Sequence, residues 1–417
     1  MKIIKIEGNH KLTGTIRISG AKNSAVALTP ASILSNEDVT ICNVPDITDI
    51  DALCEMLKYL GADVRRASES IVISPQNIEN KFIKEEYSKK LRASYYFMGA
   101  LLGKYKHVEI SLPGGCSIGA RPIDLHLKGF ESLGATIVKE NDRYIVDAKE
   151  LKGTHIYLDI ASVGATINIM LAATLAKGKT IIDNAAKEPE IVNIATFLNS
   201  MGAKITGAGT SEIKIIGVKK LHGAFHEVIP DRIEAGTYAI IGALVGENLK
   251  LYNIIPEHVE ALTSKLIEMG VEVDMGPDYM IVNSKESYKP TNIKTLVYPG
   301  FPTDLQQPFS ALLAKCNGIS TIEETIYENR FMHLKELEKM GMITEQNGMK
   351  ATFKGPVKLH ANEVKATDLR AGAALVAASL YAEGTTTITD VEHILRGYEG
   401  IVEKLKDVGA KIEIEEI

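Results

Sequence analysis

Residues 60–64 read LGADV, and the same short phrase returns five more times along the chain. The later copies are LGATI at 133–137, MGAKI at 201–205, MGVEV at 269–273, MGMIT at 340–344 and VGAKI at 408–412. Successive glycines of this phrase are 68 to 73 residues apart. Each copy follows an amphipathic segment and leads into β-rich sequence. The pattern predicts an outer helix that ends with a glycine at its C′ position and is followed by a strand.

A second element, rich in alanine, glycine and other small residues, recurs at a fixed offset from this phrase. Its copies occupy residues 22–34, 92–104, 162–178, 232–247, 303–318 and 367–384. Apolar residues surround these segments on nearly every side, which predicts buried helices whose small side chains let them pack closely. Two elements in the same order six times indicate six copies of one α/β unit of about 70 residues. The length favours two globules of three units over one solenoid.

The bulk composition limits the possible functions. The chain has 417 residues, a formal net charge of −6 and four cysteines, none of them at CxxC spacing. The negative charge argues against a general nucleic-acid binder, so any anionic ligand needs a local basic cluster. The cysteine spacing indicates neither a zinc ribbon nor a disulfide framework. Without a signal-peptide pattern or an apolar run of about 18 residues, we expect a cytoplasmic enzyme that contacts no membrane.

The first turn of each small-residue helix carries a distinctive residue. These residues are Lys22, Arg92, Ser162, Arg232, Asp304 and Arg370. A helix start presents unsatisfied N–H groups and a partial positive charge, so Lys or Arg there favours a phosphate or carboxylate site. Surface charges that merely rim the repeats are the alternative. Asp304 is the acidic exception, and it suits a general base or an N-cap, which are compatible roles.

Residues 111–126, SLPGGCSIGARPIDLH, break the repeat. Glycines flank Cys116 on both sides, and Arg121 follows. A glycine-rich stretch can fold over a ligand and open again, and a neighbouring cation lowers the pKa of a thiol. We therefore expect Cys116 to be reactive. We expect the other three cysteines to pack as small hydrophobic residues, Cys42 in a strand and Cys54 and Cys316 in helical segments.

Two further arginines, Arg330 in YENRFMH and Arg396 in EHILRGYEG, follow strands of late repeats. We expect both near one cleft. His222 and His226 are four residues apart, but no third metal ligand is in view. We therefore interpret them as ordinary surface residues, and we predict no metal site.

Seven segments together resemble a known family. They are ISGAKN at 18–23, LRAS at 91–94, LPGGCSIGARPIDLH at 112–126, FPTD at 301–304, ENRFMH at 328–333, TDLRAGAAL at 367–375 and HILRGYE at 393–399. In register over the whole chain, they closely resemble the UDP-N-acetylglucosamine 1-carboxyvinyltransferases, a branch of the enolpyruvyl transferase family. The sibling enolpyruvyl-shikimate-phosphate synthases share the six-unit fold but lack this cysteine loop.

The resemblance implies an α/β fold of two inside-out α/β barrel domains, each built from three repeated units, with the active site in the interdomain cleft. Residues 1–21 plus 230–417 would form one discontinuous domain. Residues 22–229 would form the inserted domain, which carries the Cys116 loop.

The resemblance also implies a reaction. The enolpyruvyl group of phosphoenolpyruvate would move to the 3′-hydroxyl of UDP-N-acetylglucosamine with release of phosphate. This is the first committed step of peptidoglycan biosynthesis, on which cell-wall biogenesis, cell shape and cell division depend. No cofactor or metal is implied. The epoxide fosfomycin, the family's inhibitor, would form a covalent adduct with Cys116.

Site residues carry over position by position. Catalysis would fall to Cys116, Asp304, Lys22 and Arg396. Cys116 would protonate the methylene carbon or add to the enol carbon as a thiolate, and Asp304 would take the proton of the sugar hydroxyl. Phosphoenolpyruvate would be held by Lys22, Asn23, Arg121, Arg330, Arg370 and Arg396. The nucleotide sugar would be lined by Arg92, Arg121, Pro122, Ile123, Asp124, Leu125, Ser162, Val163, Asp304 and Ile326. Ile160 stands where some relatives carry a lysine, and the absence of this positive charge would weaken binding of the uridine diphosphate.

Two other functions stay open at this stage. One is an enolpyruvyl transferase for a different acceptor such as shikimate 3-phosphate, against which the match of residues 121–125 argues. The other is a non-catalytic nucleotide-sugar sensor, which would be expected to have lost the cysteine, the acid or part of the basic cluster.

Overall fold

The structure is a computed structural model that describes residues 2–111 and 123–416, so Cys116, Arg121 and Pro122 lie outside the described residues. The α-helices are α1 (Lys22–Ala31), α2 (Thr48–Leu60), α3 (Glu85–Ser88), α4 (Tyr96–Tyr105), α5 (Asp124–Ser132), α6 (Val163–Ala173), α7 (Pro189–Ser200), α8 (Arg232–Val245), α9 (Glu260–Met269), α10 (Thr303–Leu312), α11 (Leu334–Lys339), α12 (Leu369–Tyr381), α13 (Glu392–Leu395) and α14 (Ile401–Asp407). Short 3₁₀ helices span Ser32–Leu34, Arg92–Tyr95, Pro256–His258 and Leu313–Lys315.

The strands are β1 (Lys2–Glu7), β2 (Leu12–Arg17), β3 (Val39–Cys42), β4 (Asp63–Ala67), β5 (Ser70–Ser74), β6 (His107–Ser111), β7 (Thr136–Glu140), β8 (Arg143–Asp147), β9 (His155–Tyr157), β10 (Lys179–Asp183), β11 (Lys204–Thr206), β12 (Glu212–Ile216), β13 (Phe225–Glu227), β14 (Gly246–Tyr252), β15 (Glu272–Met275), β16 (Tyr279–Asn283), β17 (Asn292–Lys294), β18 (Gly318–Glu323), β19 (Ile343–Asn347), β20 (Lys350–Gly355), β21 (Glu363–Lys365), β22 (Thr385–Thr389) and β23 (Lys411–Glu416).

The described chain divides into two compact α/β units, each with its own hydrophobic core. The first, here called the split unit, contains residues 2–19 and 230–416, and the second, the central unit, contains residues 20–111 and 123–229. Among the described residues each unit has three small sheets. The central unit has the strand orders β13-β3-β5-β4, β6-β8-β7 and β11-β12-β10-β9. The split unit has β15-β16-β14-β2, β17-β18-β20-β19 and β21-β22-β1-β23.

The two termini meet in one sheet of the split unit. Strand β1 lies between β22 and β23 and is antiparallel to both, with Ile4 opposite Ile388 and Ile414. In the sheet β17-β18-β20-β19 the corresponding central place belongs to β20, which follows β18 along the chain. The N-terminal strand therefore completes the last repeat of the chain.

The small-residue segments form the buried helices that the sequence predicts. In the split unit α8, α10 and α12 pack against one another, and in the central unit α4 packs against α1 and α6. Small side chains are required at these contacts. A Cβ at Gly99 of α4 would lie 2.5 Å from the backbone oxygen of Asn168 in α6, and one at Gly236 of α8 would lie 2.4 Å from Leu305.

The repeated glycine phrase forms the same helix end six times. The glycines have φ angles between 96° and 104°, the left-handed region that favours glycine. In each copy the residue after the glycine donates its N–H to the carbonyl five residues earlier, as Ala62 does to Leu57 and Val271 does to Leu266, both at 2.9–3.0 Å. This is the Schellman motif, so the predicted C′ glycines are confirmed.

A third repeated feature, an asparagine at the end of an inner strand, is not predicted from the sequence. Asparagines that directly follow inner strands adopt left-handed φ angles and donate their side-chain amide to the carbonyl of a neighbouring segment. The pairs are Asn43 to Val228 at 2.8 Å, Asn184 to Leu158 at 2.8 Å and Asn253 to Ile18 at 2.7 Å. These bonds fix the segments that lead into buried helices, including α1, α6 and α8.

Two local predictions are wrong. His226 is not a surface residue, because only 9% of it is exposed and its Nε2 lies 2.9 Å from the Asn193 amide. Cys316 is buried as expected, but it follows the 3₁₀ helix Leu313–Lys315 in extended conformation and pairs with Tyr288. Helices of the described residues include none that is both long and apolar enough to cross a membrane.

Candidate active site

Asp304 lies between two buried arginines in the split unit. The residue is in the first turn of α10 and its side chain is 27% exposed. Arg330 donates to its Oδ1 at 2.7 Å, and Arg370 donates to its Oδ2 from Nη2 at 3.1 Å and from Nε at 3.3 Å. The sequence predicted all three as site residues, and the structure brings them together.

The charges of this cluster suit an anionic ligand. Arg330 and Arg370 are 2% and 3% exposed, and two guanidinium groups face one Asp304 carboxylate. Burial alone lowers the pKa of Arg330, but Asp304 and Tyr327 outweigh it and the net pKa is raised. Burial lowers the pKa of Arg370 as well, and Tyr398 and Asp304 more than offset it. Arg330 Nε has no hydrogen-bond partner within the described residues, so the guanidinium keeps donor capacity for a ligand.

A buried carboxylate that the sequence analysis missed connects Ile326 to this cluster. Glu324 accepts the Ile326 N–H at 2.8 Å and the Thr303 hydroxyl at 2.7 Å. Thr303 in turn accepts from Arg330 Nη1 at 2.8 Å. The predicted residue Ile326 is therefore tied to the start of α10, directly beside Asp304.

Arg396 is half-buried at the C-cap of α13. It is two residues from Tyr398, whose ring centroid lies 5.1 Å from the Arg370 guanidinium carbon. Tyr398 is fully buried, and its hydroxyl lies 2.9 Å from that of Thr237 in α8. The segment that carries Arg396 thus packs beside Arg370.

In the central unit, Lys22 is the first residue of α1 and forms an ion pair with Asp49 at 2.7 Å. Asp49 lies in the first turn of α2. The two side chains are 13% and 4% exposed, so this is a largely buried pair. Asn23 follows in α1 and is half-buried. Asp49 is a second carboxylate that the sequence analysis missed, because nothing in the motif ISGAKN indicates its partner.

Arg92 and the start of α6 lie near His126 in the central unit. Arg92 begins the 3₁₀ turn before α4, and the Tyr95 ring of that turn lies 4.9 Å from the His126 ring. Burial and, as the smaller effect, the charge of Arg92 together lower the pKa of His126 to about 3. A Cβ at Gly164 would lie 2.9 Å from His126, which brings the start of α6 to the same place.

The other described residues of the central unit that are predicted to bind the nucleotide sugar lie at the starts of α5 and α6. Ser162 caps α6, accepting from the Ala165 N–H at 3.3 Å, and Val163 is half-buried. Ile123 is 9% exposed, Leu125 is half-buried and Asp124, the first residue of α5, is exposed. Ile160 is 67% exposed, so an apolar side chain stands in solvent where some relatives carry a lysine.

The three described cysteines are free thiols with little reactivity. Burial raises the pKa of Cys54, Cys42 and Cys316, for Cys316 to about 11. A raised pKa leaves little thiolate at neutral pH. Residues 2–111 and 123–416 contain no group of three or more His, Cys, Asp and Glu side chains placed to hold a metal ion.

Known proteins match nearly the whole chain. A family model described as EPSP synthase (3-phosphoshikimate 1-carboxyvinyltransferase) matches residues 6–405. A UDP-N-acetylglucosamine 1-carboxyvinyltransferase 2 from Geobacillus kaustophilus (strain HTA426) is 55% identical over 412 residues, covering 99% of this chain and 96% of its own. This chain belongs to the UDP-N-acetylglucosamine 1-carboxyvinyltransferases, within the EPSP synthase family. A further member, from Bacillus subtilis (strain 168), is 54% identical over 413 residues with the same coverage.

Solved structures agree with this family on the fold. The enolpyruvyl transferase NikO from Streptomyces tendae superimposes with a TM-score of 0.89 at 26% identity, over 99% of this chain and 98% of its own. An EPSP synthase from Acinetobacter baumannii superimposes with a TM-score of 0.77 at 16% identity, over all of both chains. At that identity the second likeness concerns the fold alone.

Proposed function

We propose that this chain transfers the enolpyruvyl group of phosphoenolpyruvate to the 3′-hydroxyl of UDP-N-acetylglucosamine and releases phosphate, as the first committed step of peptidoglycan biosynthesis in the cytoplasm. Each unit would be an inside-out α/β barrel of three repeats, with the domains 1–21 plus 230–417 and 22–229. The location of the active site in the interdomain cleft stays a prediction of the resemblance.

The observation that carries the proposal is that Asp304, in the first turn of α10, is bound by two buried arginines, Arg330 in the turn before α11 and Arg370 in the first turn of α12. Phosphoenolpyruvate brings a carboxylate and a phosphate, and a low-dielectric site accepts such charge only against fixed cations. Arg330 and Arg370 would bind the substrate carboxylate. Lys22, Asn23, Arg121 and Arg396 would complete the binding of phosphoenolpyruvate.

Asp304 would act as the general base on the sugar hydroxyl. While both arginines bind Asp304, its carboxylate is a weak base, because neighbouring positive charge favours the ionised form. When the arginines turn to the substrate carboxylate, Asp304 regains basicity. Base strength would therefore rise only with phosphoenolpyruvate bound, which links deprotonation of the acceptor to the presence of the donor.

The reaction then needs a proton at the methylene carbon of phosphoenolpyruvate. Cys116 would supply it, or would add to the enol carbon as a thiolate. The sugar oxygen, having given its proton to Asp304, bonds to the enol carbon. On elimination the C–O bond to phosphate breaks and the new methyl group gives up one proton, with phosphate as the leaving group, which restores the enolpyruvyl double bond. The raised pKa values of Cys42, Cys54 and Cys316 leave Cys116 as the cysteine for this role and for alkylation by fosfomycin.

The nucleotide sugar would bind along the starts of helices in the central unit. Arg92, Arg121, Ser162 and the residues Pro122–Leu125 would contact it, with Val163, Ile326 and Asp304 near the sugar. The exposed Ile160 would leave the diphosphate with one cation fewer than in some relatives.

Phosphate release in the presence of phosphoenolpyruvate tests the choice of acceptor. We expect release with UDP-N-acetylglucosamine and none with shikimate 3-phosphate. Release with shikimate 3-phosphate alone would contradict the proposal. Cys116→Ala should abolish turnover, whereas Cys54→Ala, as the matched control, should retain it. Peptide mapping after fosfomycin treatment should find the adduct on Cys116, and an adduct on another cysteine would refute that assignment.

A further inference from the structure

Two adjacent glutamines, Gln306 and Gln307, lie in the buried helix α10 directly after Asp304 and Leu305. Both are fully buried. The equivalent places are Gly372 and Ala373 in α12, and Glu234, which is also buried, followed by Ala235 in α8, so only α10 has two polar side chains there. A buried amide that lacks its hydrogen bonds costs about 1–3 kcal/mol, so a pair of glutamines in such a helix requires a structural reason.

Gln306 fixes the chain at Arg330. Its Nε2 donates to the backbone oxygen of Arg330 at 2.9 Å. The Arg330 side chain then returns to the start of α10, where it bonds to Thr303 and Asp304. The backbone and the side chain of Arg330 therefore both bond to α10, which fixes the place beside Asp304 from which the guanidinium extends.

Gln307 fixes the start of the helix that carries Arg370. Its Nε2 donates to Oδ2 of Asp368 at 3.0 Å. The other oxygen of Asp368 caps α12 by accepting from the backbone N–H groups of Arg370 and Ala371 at 2.9 and 3.0 Å. The Arg370 side chain returns to Asp304. The second arginine is thus also held at its backbone and at its guanidinium by α10.

Among the described residues, the side-chain amide of each glutamine forms hydrogen bonds through its NH2 group and none through its oxygen. Within the described residues, Gln306 Oε1 and Gln307 Oε1 are buried without a hydrogen-bond partner. An apolar side chain of the same length would fill the space without this cost, so packing alone does not explain the pair. The retained bonds both lead to segments that carry an arginine of the cluster.

We propose that Gln306 and Gln307 are positioning residues that align Arg330 and Arg370 on either side of Asp304. This inference rests on the proposed function, because it takes these three side chains as the groups that bind phosphoenolpyruvate and activate the acceptor. Neither glutamine is expected to touch a substrate. They act through the backbone of Arg330 and through Asp368.

Gln306→Met and Gln307→Met remove the amides and keep the side-chain length. Methionine removes the unpartnered oxygen but leaves the Arg330 carbonyl or one Asp368 oxygen without its donor, so these opposed effects should keep the change in melting temperature moderate, and activity is compared at temperatures where each variant is folded. We expect kcat/KM for phosphoenolpyruvate to fall about 10–100-fold, since misplacement of a binding group by about 1 Å has an effect of this size. Ser379→Ala is the control, because Ser379 is a fully buried residue of α12 that bonds only to Leu375 of its own helix. This control should leave kcat/KM unchanged.

The pH dependence separates positioning from packing. In the free enzyme, displaced arginines stabilise the ionised form of Asp304 less, so the acid limb of the kcat/KM profile should move to higher pH in both methionine variants. Gln307→Glu provides a second readout. Its carboxyl group donates to Asp368 only when protonated, so activity relative to the wild type should recover as the pH falls.

Unchanged kcat/KM and an unchanged acid limb in both methionine variants would overturn the inference. Failure of the proposed function gives a different result. In that case the wild type itself would release no phosphate from phosphoenolpyruvate in the presence of UDP-N-acetylglucosamine. An active wild type with loss of activity in Asp304→Asn and fully active glutamine variants would contradict the positioning role alone.

Discussion

The two units place charged residues at the same point of the same repeat but balance their charge differently. In the split unit, Arg330 and Arg370 share one carboxylate, Asp304, which is itself a predicted catalytic residue. In the central unit, Lys22 has a separate carboxylate, Asp49, that no motif indicates. The repeat therefore sets where a side chain stands, and its local partners decide its chemistry. A carboxylate shared by two arginines can be released when they bind a substrate, whereas Asp49 holds Lys22 at the start of α1.

The largest expected effect comes from removing the shared carboxylate. Asp304→Asn deletes the general base and should lower kcat about 10²–10⁴-fold. Asn keeps the shape, so initial rates of phosphate release measure the chemical role. A kcat close to that of the wild type would remove Asp304 from the mechanism. The helix starts of both units would then serve only to bind anions.

Removal of the Asp49 carboxylate should affect substrate binding and protein stability more than kcat. Asp49→Asn removes the charge that faces the largely buried Lys22 at 2.7 Å, and losing one partner of a buried pair costs about 3 kcal/mol. We expect a lower urea midpoint and a changed KM for phosphoenolpyruvate, while kcat falls less than in Asp304→Asn. If Asp49→Asn lowers kcat as strongly as Asp304→Asn does, the contrast between the two units fails.

Acid should destabilise both units through buried neutral histidines. Burial lowers the pKa of His333 to about 4 and that of His126 to about 3. Below about 6.5 the unfolded chain binds a proton that the folded chain does not, so the unfolding free energy decreases as the pH falls. For His333 the decrease runs from pH 6.5 to about 4, at most about 1.4 kcal/mol per pH unit. Urea midpoints between pH 7 and 5 should fall less in His333→Gln than in the wild type, and an identical slope would contradict this.

The smallest effect compares equivalent glycines of the two units. Gly61 and Gly270 both have left-handed φ angles, 104° and 96°. A Cβ at Gly270 would meet no atom within 4 Å, whereas one at Gly61 would lie 2.5 Å from the backbone oxygen of Asn77. Gly270→Ala should therefore cost only the left-handed strain, about 1 kcal/mol. Gly61→Ala should lower the melting temperature further, and equal losses would show that the two helix ends are not constrained differently.

The sequence predicted the repeated elements because each follows from local chemistry. Glycine is needed wherever a helix ends in the left-handed region, and small residues are needed where buried helices cross, so both leave a periodic trace. The repeats also placed Lys22, Arg92, Ser162, Asp304 and Arg370 at helix starts, and the structure confirms these places.

The partners of these residues could not be predicted in the same way. Asp49, Glu324 and Asp368 are single carboxylates whose role depends on which distant segment packs beside them. His226 was mistaken for a surface residue because its burial against Asn193 and Phe197 depends on tertiary packing and not on local pattern. The two glutamines after Asp304 were a visible signal, since adjacent amides are unexpected in an otherwise apolar helix.

The identity of the nucleotide product tests the proposed function most directly. The enzyme would be incubated with phosphoenolpyruvate and UDP-N-acetylglucosamine, and the product examined by mass spectrometry and NMR. The proposal predicts UDP-N-acetylglucosamine carrying an enolpyruvyl ether at its 3′-oxygen, formed in equal amount to the phosphate released. The proposal would be contradicted if UDP-N-acetylglucosamine stayed unmodified after prolonged incubation with the enzyme, or if phosphate were released without formation of this ether.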